Sequence, residues 1–262
     1  MKIHATAIVH PDAELAEDVT IGPYTIIGAH VRIGLGTVVG PHCVIEGRTV
    51  IGKHNRVASS AQIGVLSQDL KHRSDLVGRC EIGDKNDIRE HTVISASTMA
   101  SEADEDRITS LGNSCLIMSG VHIGHDCHVG SGCIMATGTG LSGHVTMHDK
   151  AIIGGIAGVH QDVVIGTLSF VGGMSRTIKD VPPFMLAEGV PCKVHGPNTV
   201  GLKRNGLDDA ARKRVKEMYR ILYRSNLNVS QAVEEIDRSV DDSPEKKTLL
   251  DFIHNSKRGI TV

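Results

Sequence analysis

The chain contains no tryptophan and only three phenylalanines and three tyrosines in 262 residues, an aromatic share of 2%. Ordinary cores draw much of their buried area from large rings, so this interior must be built from stacked aliphatic side chains. An excess of one charge is also missing: 28 basic and 30 acidic residues leave a net charge of -2 with histidine neutral. That balance excludes a general nucleic-acid binder. No apolar run approaches the ~18 residues of a transmembrane helix. The six cysteines, Cys43, Cys80, Cys115, Cys127, Cys133 and Cys192, include no CxxC pair, which favours free buried thiols in a reducing compartment. Met1-Lys2-Ile3-His4 carries no signal-peptide pattern, and a cytoplasmic protein is expected.

What is present is a period of six. Ile3, Val9, Leu15, Ile21, Ile27, Ile33, Val39, Ile45, Ile51, Val57 and Ile63 are each six apart, and the beat returns at Ile82, Ile88 and Ile94. It returns again from Leu111 through Ile117, Ile123, Val129, Met135, Leu141, Met147, Ile153, Val159 and Ile165 to Val171. Neither a heptad nor a 3.6-residue helical period fits. A hexapeptide repeat specifies a parallel β-helix, each hexad one short strand and a corner, with its aliphatic residue pointing inward. β-Branched Ile and Val suit the strands, and Gly, Asn or Asp near the corners allow left-handed backbone.

The spacing predicts a mainly β protein over residues 1–183, with insertions near 65–81 and 95–110. The acidic run Glu102 to Asp106 reads as a solvated loop tip, whereas Gln68-Asp69-Leu70-Lys71 reads as functional, since loops on a rigid scaffold often carry function. Asp180-Val181-Pro182-Pro183 ends the repeat, because proline cannot donate to a ladder. Residues 184–262 are expected to hold an irregular connector over 184–205 and a C-terminal α-helical subdomain. Helices are predicted over 210–223, over 230–240 behind a cap at Asn228 or Ser230, and from Ser243-Pro244 to His254, with Gly259 as a stop. About 55 residues are too few to be stable alone, so this tail should pack on the end of the β-helix or on a neighbouring subunit.

Three hexads make an 18-residue turn, so residues 18 apart stack in columns. His125 then lies under Gly143 and Gln161, Asp126 lies under His144, and Gly124, Ser142 and His160 form the column beside them. A histidine beside a carboxylate is an economical general base, its pKa near neutrality and its tautomer fixed by the partner. A glycine one coil above leaves a backbone N–H open to a developing oxyanion. No nucleophile elbow is present, so direct transfer is simpler than a covalent intermediate. A zinc site built from His122, His125, His144 and His160 would require convergence across subunits, and no metal is expected.

These residues carry a resemblance. His122-Ile123-Gly124-His125-Asp126-Cys127, Leu141-Ser142-Gly143-His144-Val145, Ile152-Ile153-Gly154-Gly155, Val159-His160-Gln161, Gln68-Asp69-Leu70-Lys71, Ile82-Gly83-Asp84-Lys85-Asn86 and Gly201-Leu202-Lys203-Arg204-Asn205-Gly206 resemble the acyl-[acyl carrier protein]–UDP-N-acetylglucosamine O-acyltransferases, which open lipid A biosynthesis. The resemblance spans essentially the whole chain. It implies a left-handed parallel β-helix, a homotrimer with sites between subunits, and transfer of an R-3-hydroxyacyl chain from acyl carrier protein to the glucosamine 3-hydroxyl of UDP-N-acetylglucosamine. By the same resemblance His125 is the general base, Asp126 its orienter and Gly143 the oxyanion donor. Asp69 and Lys71 belong to the loop that holds the sugar. His122, His144, His160, Gln161, Asn198 and Arg204 line the substrate, and Gly173 limits acyl length. No cofactor is implied, because the donor is the phosphopantetheine thioester of the carrier protein.

The chain departs from the pattern at Ser95-Ala96, where the family often has His-Arg, and at Val200, where it often has Glu. A related nucleotide-sugar N-acyl- or acetyltransferase, or a non-catalytic trimeric paralogue, are the alternatives. Lys203, Arg204, Arg212, Lys213, Arg214, Lys216 and Arg220 cluster near the helical tail. They form either a docking face for an acidic carrier protein or a solvated helix face.

Overall fold

The computed structural model describes all of residues 1–262. Its repeating unit is a two-residue strand, as in Ile134–Met135 or Ile152–Ile153, whose second residue is the aliphatic of the hexad. Successive coils pair in parallel and in register, so that Ile117, Met135, Ile153 and Val171 form one inward column. Three such walls close a prism of eleven-, nine- and eight-stranded sheets. One continuous core of 38 buried residues fills it, and the six cysteines lie buried as free thiols.

The corners differ from expectation. Asp126, His144 and Asp162 adopt the left-handed conformation at φ 57°, 61° and 62°, but so do Lys150, Ile156, Leu168 and Met174. Hydrogen bonds to the coils above and below over-determine the corner, so the stack imposes this conformation even on side chains that disfavour it.

The two insertions interrupt the stack without breaking it. Ile63 pairs with Ile94 and Ile94 with Ile123, offsets of 31 and 29 residues where 18 is the rule, so the loops add thirteen and eleven. They grip one another: the Ser67 and Thr98 hydroxyls lie 2.6 Å apart, the Met99 N–H donates to His72 Nδ1, and the Arg73 N–H donates to the Met99 carbonyl. The acidic run is not wholly solvated. Glu105 accepts from Arg48 at 2.8 Å, and Asp104 pairs with Arg107 at 3.0 Å.

Beyond the prolines the expected irregular connector is ordered. Met185–Glu188 and Lys193–Pro197 form an antiparallel hairpin that joins the largest sheet through Phe170–Val171. A short helix α1, Thr199–Arg204, follows under an Asn198 cap. Three longer helices follow: α2 (Asp209–Arg224), α3 (Val229–Ser239) and α4 (Pro244–Asn255). Asp208, Asn228 and Ser243 cap them by accepting orphan N–H groups. At the far end of α3, Lys246 Nζ donates to the carbonyls of Asp237 and Val240. Gly259 is not the helix stop, since α4 ends at Asn255; its φ of 73° instead shapes the turn that lets Ile260 bridge to Asp180.

The helices share a second core with Leu168 and Phe184, so the tail packs on the end of its own chain's prism. Asp180, 1% exposed, ties the two together. Its carboxylate accepts from Val164 N–H at 2.8 Å and Ser256 hydroxyl at 2.6 Å, and its backbone bonds to Gly259 and Thr261. No helix is long and apolar enough to cross a membrane.

Candidate active site

The site lies on the outer face of the nine-stranded wall. There the strand His122–Ile123 supports Gly140–Leu141, which supports Gly158–Val159, which supports Arg176–Thr177. The first insertion leans over these coils and leaves a cavity of about 740 Å³. Of the residues expected from sequence, the cavity gathers Asp69, Lys71, His122, His125, Gly143, His160 and Gln161.

At its centre His125, 13% exposed in its side chain, donates from Nδ1 to Asp126 Oδ2 at 2.8 Å. This bond fixes the tautomer and leaves Nε2 as the basic nitrogen. His144 stands edge-on to the His125 ring at 5.1 Å, and its Nε2 lies 3.7 Å from the same carboxylate oxygen. Asp126 is 5% exposed. Its burial raises the carboxyl pKa, but the His125 bond, the Thr98 N–H and the charge of His144 outweigh it, so the group is held below its ordinary value. The carboxylate therefore has two tasks: it orients His125, and it anchors the second insertion through the Thr98 N–H at 3.2 Å. Burial, and then the charge of His125, lower the pKa of His122 from its ordinary value.

Gly143 lies directly over His125. A β-carbon built there would fall 2.3 Å from Cε1 and 2.4 Å from Nε2 of the ring. The N–H of Gly143 makes no hydrogen bond within the chain and is available to a ligand at the cavity edge. Above His122 the wall is bare, because side chains at Gly140 and Gly158 would meet nothing within 4 Å. On the loop, Asp69 Oδ1 accepts from the Lys71 N–H at 2.9 Å, a local turn that holds both side chains beside the cavity.

Other expected residues lie elsewhere. Asp126 and His144 sit behind His125 and do not line the cavity, nor does Gly173, whose built β-carbon would meet the Gly155 carbonyl oxygen at 3.1 Å. Asn198 is buried and engaged within the chain: its oxygen caps α1 at Gly201 and its amide donates to the Leu168 carbonyl. Arg204 lines a separate basic recess with Lys203, Arg212, Lys213 and Lys216. Arg214 faces inward to Glu245 at 3.0 Å and is not part of that recess. Within the chain, one ligand atom each from His125, Asp126 and His144 lie within 4.8 Å of one another, a set that includes two of the four histidines considered for zinc and not His122 or His160. Ser142, expected in the column of Gly124 and His160, lines the cavity, as do Ser95, Arg176 and Ile178, to which the sequence assigns no site role. Shifts of 18 residues along the His122 and Gly124 columns lead to Arg176, Ser142 and Ile178, whereas Ser95 stands below Gly124 across the second insertion, 29 residues back, where no constant shift leads.

A β-helix of hexads with a histidine–carboxylate pair in a wall cavity defines a left-handed hexapeptide-repeat transferase. The bacterial transferase hexapeptide family matches residues 1–35 and 108–143, and the family described as UDP-N-acetylglucosamine O-acyltransferase, domain 2, matches residues 180–261. The acyl-[acyl-carrier-protein]–UDP-N-acetylglucosamine O-acyltransferase of Paraburkholderia phymatum is 44% identical over 99% of this chain and 98% of that protein. The protein of the same description from Thiobacillus denitrificans is 45% identical over 98% of each. Among solved structures, the UDP-N-acetylglucosamine O-acyltransferase of Moraxella catarrhalis superposes at a TM-score of 0.94 with 40% identity over the full length of both chains. That of Francisella novicida gives 0.94 at 38% over 99% of this chain and 93% of the other. The chain belongs to the acyl-[acyl-carrier-protein]–UDP-N-acetylglucosamine O-acyltransferase family.

Proposed function

We propose that the protein transfers an R-3-hydroxyacyl chain from acyl carrier protein to the 3-hydroxyl of UDP-N-acetylglucosamine, the opening step of lipid A biosynthesis. The observation that carries this reading is the stack of Gly143 on a His125 ring oriented by Asp126. His125 Nε2 takes the proton of the sugar hydroxyl as its oxygen attacks the thioester carbonyl. The tetrahedral oxyanion accepts a hydrogen bond from the Gly143 N–H, a donor fixed before charge develops. Collapse breaks the carbon–sulfur bond, and the imidazolium returns its proton to the departing thiolate. Asp69 and Lys71 hold the sugar from the loop side, while His122, His160 and Gln161 line the path between the substrates.

A homotrimer fits the same geometry. The cavity is built on one flat wall, and Leu70, fully exposed at the loop tip, has no apolar neighbour to cover it in its own chain; a second subunit supplies the opposite wall. Carrier protein is acidic, and the recess of Lys203, Arg204, Lys213 and Lys216 on the helical tail is a complementary dock. No cofactor takes part in this scheme. Mass spectrometry of the product formed from UDP-N-acetylglucosamine and a panel of hydroxyacyl carrier proteins tests the reading. A 3-O-acylated product that disappears with His125→Ala is expected. A preference for CoA thioesters over acyl carrier protein as donor, or activity retained without His125, overturns it.

A further inference from the structure

The lowest step of the cavity holds a hydroxyl that the chain itself does not use. Ser95 is 1% exposed, and its Oγ has no hydrogen-bond partner. The hydroxyls nearest in the loops and the adjoining coil are engaged, while Thr177, four coils up in the same cavity, is the other buried hydroxyl without a partner. Ser97 Oγ accepts from the Arg79 N–H, Thr98 Oγ1 meets Ser67, and Thr109 Oγ1 accepts from the Asp126 N–H. An unpaired hydroxyl is costly to bury, and such groups in native proteins call for a partner.

Its position says which substrate would supply one. Ile94 pairs with Ile123, so Ser95 lies one coil below Gly124, at the foot of the column that rises through Ser142 and His160. All four line the cavity, and Gln68 to Lys71 close over it. In the proposed reaction this loop holds the acceptor sugar and the reacting hydroxyl meets His125, one coil up. A coil step is about 4.8 Å, a span that a ring substituent next to the reacting hydroxyl covers once a hydrogen bond of about 2.8 Å to the protein is added.

We propose that Ser95 is a specificity-determining residue for the acceptor: its hydroxyl bonds an oxygen carried next to the reacting position, the acetamido carbonyl on one side or the 4-hydroxyl on the other. This inference rests on the reading of the site as a sugar acyltransferase. Serine is also where this chain departs from its family's frequent histidine, and its smaller side chain leaves the sugar room to approach the wall.

The test compares wild type, Ser95→Ala and Ser95→Thr in steady-state kinetics and in calorimetric binding of UDP-N-acetylglucosamine. Ser95→Ala is expected to raise KM and Kd for the nucleotide sugar about tenfold, with kcat within twofold and KM for acyl carrier protein unchanged. Ser95→Thr, which keeps the hydroxyl, should recover most of the loss. The penalty should vanish with UDP-glucose if the acetamido carbonyl is the partner, or change with UDP-N-acetylgalactosamine if the 4-hydroxyl is. An unchanged Kd, with melting unchanged or improved, identifies a structural leftover and overturns the inference, as does a penalty equal on all three nucleotide sugars. Wild-type protein that binds the nucleotide sugar in a Ser95-dependent way yet yields no acylated product would sink the reaction and spare the binding role.

Discussion

Gly143 and His125 lie so close that the first carbon of any side chain at 143 would overlap the imidazole, 2.4 Å from its Nε2. Gly143 is not among the residues with positive φ, so the glycine serves the ring beneath it and not a turn. Gly143→Ala should push the ring from its place while leaving the coil intact. A displacement of about 1 Å at a reacting group typically costs on the order of 10²-fold in rate. We expect kcat to fall by at least that much, with KM for both substrates within threefold and an unchanged melting temperature. An alanine variant with near wild-type kcat would show that the ring does not work from this position.

Asp126→Asn should reduce kcat by about 10²- to 10⁴-fold, because the amide does not hold the imidazole in the required tautomer. It should also loosen the second insertion, which hangs from the carboxylate through Thr98. A pH dependence follows. The folded pKa of Asp126 lies below its ordinary 3.8, so the carboxylate adds stability that is complete above the unfolded pKa and lost as pH falls through the folded one. Urea midpoints of wild type and Asp126→Asn should differ by a constant amount above about pH 5, begin to approach each other near the unfolded pKa and meet only below the folded one. A gap that widens on acidification would contradict the assignment.

Asp180→Ala leaves the buried Val164 N–H without its acceptor and releases Ser256. Each buried group left unpaired costs about 1–3 kcal/mol, whereas Ser256→Ala, which removes a single bond to a charged group, should cost less. Hydrogen exchange is the sharper readout. Residues 256–262 should lose protection in Asp180→Ala while the coils around Ile117 and Met135 keep theirs.

Lys213→Glu combined with Lys216→Glu reverses the charge of the recess on the helical tail. KM for acyl carrier protein should rise about tenfold at low ionic strength, and the effect should shrink as salt shortens the screening length. A short acyl-pantetheine thioester, which carries no acidic partner protein, should be used equally well by both forms. Equal losses on both donors would place the recess outside carrier recognition.

Residues placed by the stack are legible in sequence, and residues placed by contacts between loops or tails are not. The six-residue beat locates the main inward column, though not the second inward position two residues earlier that buries Val19, Val31, Val121, Val145 and Val163, and an 18-residue shift places Gly143 over His125 and His144 over Asp126 without any coordinates. Nothing periodic marks the hairpin at 185–197, whose short antiparallel strands lack alternation, so it reads as irregular. Asn198 is expected beside the substrate by resemblance alone, and its use as the cap of α1 is a local geometric matter that no repeat announces. Arg214 reads as part of the basic face, though its charge is directed at Glu245 on another helix. The grip between Ser67 and Thr98 lies thirty-one positions apart in the chain, a distance set by insertion lengths and not by any repeat.

The two ends of the prism are covered unequally. Phe184 and the helices close the C-terminal side, whereas at the other Met1 is 62%, Ile3 40% and Ile8 66% exposed. In a molecule where each layer leans only on the next, thermal opening begins at the unsealed layer and works inward one turn at a time. On the nine-stranded wall five strands precede the one bearing His122. Fraying is thus spent on expendable turns, and the imidazole that does the work sits deep enough to feel little of it.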